Sequence, residues 1–149
     1  MTIRIAQERL TAQEYIAFLA TTDLGKQYPR ERFEARIARL VQSASISLTA
    51  REVDGTLVGV CFGLTDFAYW LMITDLGVAR RCTGQGIGRR LMQEALRVAG
   101  GEQDIAVYLV ANTKAVSFYE KLGMEKAEDV MQYNHVEWTK FEVTEGFPL

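Results

Sequence analysis

Gly84, Gly86 and Gly88 alternate between an apolar run and an amphipathic one, inside the stretch Ile73 to Leu91, ITDLGVARRCTGQGIGRRL. Without a Cβ, such positions let backbone N–H groups come close to a ligand. The first turn of a helix also leaves N–H groups without intrahelical partners and carries partial positive charge. Together these suit the holding of a phosphate. Thr83, Gln85, Ile87 and Arg89 complete the turn. Arg80, Arg81, Arg89 and Arg90 flank it and could add charge-assisted contacts to phosphate oxygens.

Two better-known phosphate loops do not fit. A dinucleotide fingerprint needs G-x-G-x-x-G, and Arg89 stands where its last glycine should fall. A P-loop needs Gly-Lys followed by Ser or Thr, which is missing. On spacing alone, alternating glycines before a helix are also what an ordinary tight turn requires. Cys61 and Cys82 have no metal-ligand spacing, and no metal is expected. Neither cysteine has a histidine near it in sequence, so neither reads as an activated thiolate. His135, the sole histidine, reads as a surface residue. Glu31 and Glu34 read as the solvated side of a helix, and Asp75 by itself could simply end a strand.

The elements that must hold this turn follow from periodicity. Thr2 to Ala6 reads as a first strand, and Thr11 as the cap of a helix reaching about Ala20, with Tyr15, Phe18 and Leu19 at helical spacing. Gly25 and Pro29 interrupt. A second helix is expected over Arg30 to Gln42, where Phe33, Ile37, Leu40 and Val41 form one apolar stripe. From Ser45 the period becomes two, and Asp54-Gly55 joins SISLTAREV to TLVGVCFGLT as a hairpin. Phe67 to Val78 would be the next strand, leading into the glycine turn and a helix from about Gly88 to Ala99, which Gly100-Gly101 stops. Ile105 to Val110 reads as a strand covered on both faces, parallel to and beside Phe67 to Val78. Asn112 could cap a helix over Thr113 to Leu122, ended by Gly123. Two weaker strands are expected near Val130 to Asn134 and Val136 to Val143.

Composition bounds the class. A chain of 149 residues with 48% hydrophobic content is one soluble globular domain in expectation. A net charge of −2 and a pI near 5.5 argue against general nucleic-acid binding, for which a domain pI above about 9 is usual. No apolar run approaches the roughly 18 residues of a membrane span. The segment MTIRIAQERL lacks the apolar core of a signal peptide, so a cytoplasmic location is the expectation.

The order of these elements and two motifs together resemble the GNAT superfamily of N-acetyltransferases. The family pattern V-x-P-x-x-R-G-x-G-I-G is met at Val78, Gly84, Gly86, Ile87 and Gly88, and N-x-x-A-x-x-F-Y-x-x-x-G-F at Asn112, Ala115, Phe118, Tyr119 and Gly123. Arg80 stands for the usual proline, Thr83 for Arg or Gln, and Met124 for Phe. The resemblance implies a three-layer α+β fold: a mixed, mostly antiparallel sheet of six to seven strands with helices on both faces. It implies that backbone groups of Leu76, Gly77 and Val78 pair with the pantetheine arm of acetyl-CoA, and that the turn from Thr83 to Arg89 holds its pyrophosphate. Asn112 and Phe118 would adjoin the cofactor, and Tyr119 would lie near the thioester sulfur.

The expected activity is transfer of an acetyl group from acetyl-CoA to a primary amine of a small molecule or peptide, by direct attack in a ternary complex. The amine must lose a proton, the carbonyl oxygen must be stabilised, and the thiolate must be protonated. The resemblance gives Tyr119 the last task. Asp75 ranks first as base because family bases often lie on its strand, with Asp66 or a bound water chain as alternatives. Strand alternation puts Asp75 and Gly77 on one face and Thr74 and Leu76 on the other. The bland reading makes Tyr119 a core filler with a hydrogen-bonded tip. The rival function is a non-catalytic module that binds acetyl-CoA. A homodimer is a further possibility.

Overall fold

A computed structural model describes residues 2–26, 28–138 and 143–144. Strand β1 (Ile3–Gln7) leads to helix α1 (Ala12–Leu19), a 3-10 turn (Asp23–Lys26) and helix α2 (Phe33–Ser43). Strands β2 (Ile46–Glu52), β3 (Leu57–Thr65) and β4 (Trp70–Val78) follow, then helix α3 (Ile87–Ala99), strand β5 (Ala106–Leu109) and helix α4 (Val116–Lys121). The sheet runs β1-β2-β3-β4-β5, antiparallel except for the parallel β4–β5 pair. This is the mixed α+β sheet with helices on both faces that the sequence led us to expect.

Local chemistry accounts for the element ends. The Thr11 side chain accepts from the Glu14 N–H while the Glu14 carboxylate accepts from the Thr11 N–H, so two orphan donors at the start of α1 are satisfied. Helix α2 starts three residues later than expected, because Arg32 immediately before it has φ 51°, outside the helical region. β4 starts at Trp70, not Phe67, because the Asp66 carboxylate accepts from the N–H groups of Ala68, Tyr69 and Trp70 and holds them in a turn. Asn112 Oδ1 accepts from the Ala115 N–H at 2.9 Å, fixing a turn ahead of α4.

The sheet separates two apolar clusters. On one face Ile87, Leu91 and Ala95 of α3 pack on Leu48, Cys61, Leu71 and Ile73. On the other, Tyr15, Phe18 and Leu19 of α1 and Phe33, Ile37 and Val41 of α2 pack on Val60 and Phe62. Burial of each large side chain contributes about 1.5–3 kcal/mol, which is what fixes α3 with its first turn against the end of β4.

Two further features differ from expectation. β5 is not covered on both faces: Ala106 is exposed and Val107, Tyr108 and Leu109 are half-buried, because β5 is the edge of the sheet among the described residues. The described residues also hold five strands against six to seven. Val130 to Asn134 carries no strand ladder, and Val130, Met131 and Tyr133 are exposed, so no apolar face drives pairing there. Half of Val136 to Val143, positions 139–142, falls outside the described residues, and Val136 to Trp138 carries no ladder either.

Candidate active site

β4 changes partners along its length, and this creates the site. It pairs with β5 only from Trp70 to Ile73, opposite Ala106 to Leu109, while on its other side it stays paired with β3 as far as Val78. Beyond Ile73 one edge is therefore open. The register on β3 jumps from Phe62–Asp75 to Gly63–Ile73, so Thr74 is an extra, unpaired residue: a β-bulge at the point of divergence. The Ala79 N–H donates to Val58 O at 2.8 Å, and polar groups alternate in direction along an antiparallel strand. Gly77 therefore faces β3, whereas Leu76 and Val78 turn their N–H and C=O groups to the open edge. Leu76, Gly77, Val78, Thr83 and Asn112 border a cleft along that edge.

The glycine turn closes one end of this cleft. Gly84 and Gly86 have φ of 82° and 81°, and a Cβ at either would meet nothing within 4 Å. They serve the left-handed turn and leave open space before the helix. Gly88 serves packing instead, since a Cβ there would lie 3.1 Å from Phe118 Cζ. The first intrahelical bond runs from Arg90 N–H to Gly86 O, so the N–H groups of Ile87, Gly88 and Arg89 form an unpartnered first turn. The Ile87 side chain is buried in the core. Gln85 is exposed in the turn. The Thr83 hydroxyl donates to Arg80 O at 3.1 Å.

The flanking arginines behave differently from expectation. Arg81 is turned onto Glu52, and Arg90 donates to Ile3 O at 3.0 Å. Arg80 borders the cleft but is engaged by Asp23 at 2.7 Å and by the carbonyls of Ala20 and Thr22. Arg89 reaches Lys121 O at 3.4 Å. These side chains tie the loop to the fold, whereas the N–H groups of the first turn of α3 stay without intrahelical partners. Residues with this backbone edge, left-handed turn and free helix start fit an extended thiol cofactor ending in phosphates.

A cavity of about 90 Å³ lies in the splay and is lined by Ile73, Thr74, Asp75, Leu76, Asn112 and Tyr119, among others. Tyr119 is half-buried, and its hydroxyl has no hydrogen-bond partner among the described residues. Burial, with a smaller contribution from nearby Cys61, pushes its pKa up to about 12, so it keeps its proton. Phe118, expected beside the cofactor, packs on Gly88 and edge-on to the Tyr119 ring at 5.1 Å. It supports Tyr119 from behind.

Asp75 is 3% exposed and lies on the α1–α2 side of the sheet, opposite Phe62. Burial raises its pKa, against the opposing pull of hydroxyl donors. Those donors are Tyr28, Thr74 at 2.8 Å and Tyr15 at 3.4 Å, and the two tyrosine oxygens lie 2.8 Å apart. Sequence reasoning placed Tyr15 in an apolar stripe and Thr74 on the face of the strand opposite Asp75, which the bulge overturns, and it passed over Tyr28. Contacts spanning 60 and 47 positions leave no periodic signal. Only the polar atoms on otherwise apolar positions hinted at a buried network. Asp66, the alternative base, is committed to its turn.

Among the described residues no group of His, Cys, Asp and Glu is placed to hold a metal, and no helix is long and apolar enough to cross a membrane.

A parallel β4–β5 pair that splays at a bulge, with a glycine turn and helix at its mouth, defines an acyltransferase type of α+β fold. The model of the acetyltransferase (GNAT) family matches residues 12–124, more than half of the chain, and the chain belongs to that family. Among solved structures, a Deinococcus radiodurans R1 protein described as an acetyltransferase is 25% identical, with a TM-score of 0.67 over 90% of this chain and 87% of its own. Glucosamine-6-phosphate N-acetyltransferase from Arabidopsis thaliana shares the fold at 17% identity, with a TM-score of 0.60 over 91% of this chain and all of its own. An aminoglycoside acetyltransferase from an uncultured soil sample does so at 24% identity, with a TM-score of 0.58 over 90% of this chain and 97% of its own.

Proposed function

We propose that this acetyltransferase-family chain moves an acetyl group from acetyl-CoA to a primary amine by direct attack. The observation that carries the reading is the unpartnered Tyr119 hydroxyl, protonated and facing the splay cavity across from the open edge of Leu76. Acetyl-CoA, when bound, supplies the activated thioester. Backbone groups of Leu76 and Val78 bind its pantetheine arm as an added strand would. The turn from Thr83 to Arg89 holds the phosphates, and Asn112 borders the arm.

Three proton and charge tasks fall to the chain. Asp75 takes the proton of the amine through the Thr74 hydroxyl, which donates to its Oδ2. A raised pKa makes a carboxylate a stronger base, and the surrounding apolar side chains exclude water. The Leu76 N–H, turned to the open edge, donates to the carbonyl oxygen as charge develops. Tyr119 gives its proton to the sulfur as the C–S bond breaks and the C–N bond forms, leaving an amide and a free thiol.

Tyr119→Phe tests the acid. Phe keeps the ring and its contact with Phe118, so loss confined to the transition state should lower turnover by about 100-fold to 10,000-fold with cofactor binding little changed. Normal turnover in single-turnover measurements would return Tyr119 to a core filler. Coenzyme A release with a panel of amines separates transfer from mere cofactor binding: a non-catalytic module gives a thermal shift with acetyl-CoA and no release.

A further inference from the structure

A second cavity, of about 390 Å³, adjoins the splay and shares Thr74 with it. It lies between α2 and the sheet, and its volume is that of a small-molecule site. On the sheet side it is lined by two of the three residues whose hydroxyls donate to Asp75, Tyr28 and Thr74. Its middle is apolar and aromatic, formed by Phe33, Ile37, Leu64 and Trp138. On the helix side stand Arg32, Arg36 and Arg39.

These three cations are unlike their fellows. Arg9, Arg51, Arg80, Arg81, Arg90 and Arg97 each hold a carbonyl or carboxylate. The guanidinium groups of Arg32, Arg36 and Arg39 make no hydrogen bond or ion pair with any described residue. Arg32 and Arg36 also border a neighbouring cleft that carries Glu31 and Glu137, whereas Arg39 faces the apolar cavity alone. Arg32 keeps a left-handed backbone, φ 51°, a strained conformation for a non-glycine residue. A solvated helix face explains exposed arginines. It does not explain three of them around an aromatic cavity whose far wall leads to the buried carboxylate.

We propose that the acceptor is an amine joined through an apolar or aromatic body to a carboxylate or phosphate, its amine at the Thr74 and Tyr28 hydroxyls and its anion among Arg36 and Arg39. The inference rests on the acetyl-transfer reading and adds the acceptor class to it. Charge-assisted contacts, worth about 1.5–3 kcal/mol, make the anion a matter of roughly tenfold or more in kcat/KM.

The test compares coenzyme A release with 4-(aminomethyl)benzoate, 4-(aminomethyl)phenyl phosphate and benzylamine, which separates carboxylate from phosphate and both from the neutral amine. The expected result is a preference of at least about tenfold for one anion over benzylamine. In the double variant Arg36→Gln, Arg39→Gln that ratio should fall to within about twofold. Arg97→Gln, which removes a cation from the far side of α3, should leave it intact. Equal rates for the anionic and neutral amines, or a ratio unchanged in the double variant, overturn the anionic acceptor while leaving acetyl transfer standing. Release with none of the three, although acetyl-CoA raises the melting temperature, overturns acetyl transfer to amines of this size and this inference with it.

Discussion

The proposed cofactor side and the proposed acceptor side of the cleft would recognise their ligands by different means. From Leu76 to Arg89 the site is one continuous stretch whose donors are backbone N–H groups, set by where β5 stops pairing and by two glycines with positive φ. The acceptor side is built from side chains brought together from α1, the segment after the 3-10 turn, α2, the bulge and the tail. Backbone recognition is written in local spacing, because only φ, ψ and the absence of a Cβ matter there. Side-chain recognition depends on tertiary proximity, so the same fold can carry many acceptors, as relatives named for glucosamine 6-phosphate and for aminoglycosides illustrate.

The sharpest break of this comparison is Asp75→Asn. It keeps the shape and an acceptor for Tyr28 but cannot take a proton, so turnover should fall by about 100-fold or more. Stability should move the other way. Burial raises the Asp75 pKa, so the folded chain favours the protonated acid, and stability is lost as pH rises through that folded value. Wherever the wild-type protein carries Asp75 as the carboxylate, it does so at a cost that Asn removes. The melting temperature of Asp75→Asn should equal or exceed that of the wild type at pH 8, with the gap closing in acid. A clear drop at pH 8 would make Asp75 a structural anchor. Because Tyr119 titrates near pH 12, it adds no falling limb to the turnover profile below about pH 11.

On the cofactor side the matching change is Gly86→Asn. Asparagine tolerates the left-handed region better than other side chains, and a Cβ at Gly86 meets nothing within 4 Å. The apo protein should keep its stability to within about 1 kcal/mol, while the added side chain fills the approach to the free helix start. The rise in melting temperature with acetyl-CoA should then disappear. A normal rise places the phosphates elsewhere. Gly88→Ala is the contrast, since it presses on Phe118 and should cost some stability but not cofactor binding.

How much of this was legible in the sequence follows the same division. Thr11 with Glu14, Asp54-Gly55 and the alternating glycines each act within a few residues, so the first strand, the hairpin and the helix after the turn lay within a few residues of their expected bounds. The bulge at Thr74 could not be read, because it is a property of two strands in register. Nor could the fates of Arg81 and Arg90, whose partners Glu52 and Ile3 lie 29 and 87 positions away. Asp75 was singled out through family resemblance, yet its surroundings, two tyrosines and a threonine, came only with the fold.

Tyr28→Phe probes that network with a smaller effect. Its hydroxyl is one of several donors to Asp75, and it lines the acceptor cavity. Its loss should lower kcat/KM by about tenfold, as for one charge-assisted hydrogen bond. Tyr15→Phe, whose contact with Asp75 is 3.4 Å, should do less. The reverse order would mean that the amine approaches from α1.

The smallest effect on turnover is expected at the cysteines, although Cys61 is close enough to Tyr119 to influence its ionisation. A covalent route would need a thiolate that can attack the thioester, carry the acetyl group and release it to the amine. Cys61 is fully buried, and its thiol is pushed up to about 12, first by burial and then by Asp75. At neutral pH the thiol therefore stays protonated. Cys82 is 1% exposed, packed in the α3 cluster with Ile87 and Leu91. Replacing either by Ala should remove one buried sulfur and cost about 1 kcal/mol of stability, with turnover near that of the wild type. Initial rates with both substrates varied should give intersecting lines in double-reciprocal plots, the pattern of a ternary complex. Parallel lines, or an acetyl group trapped on Cys61 by mass spectrometry and lost in Cys61→Ala, would move the chemistry from Tyr119 and Asp75 to the sulfur beside them.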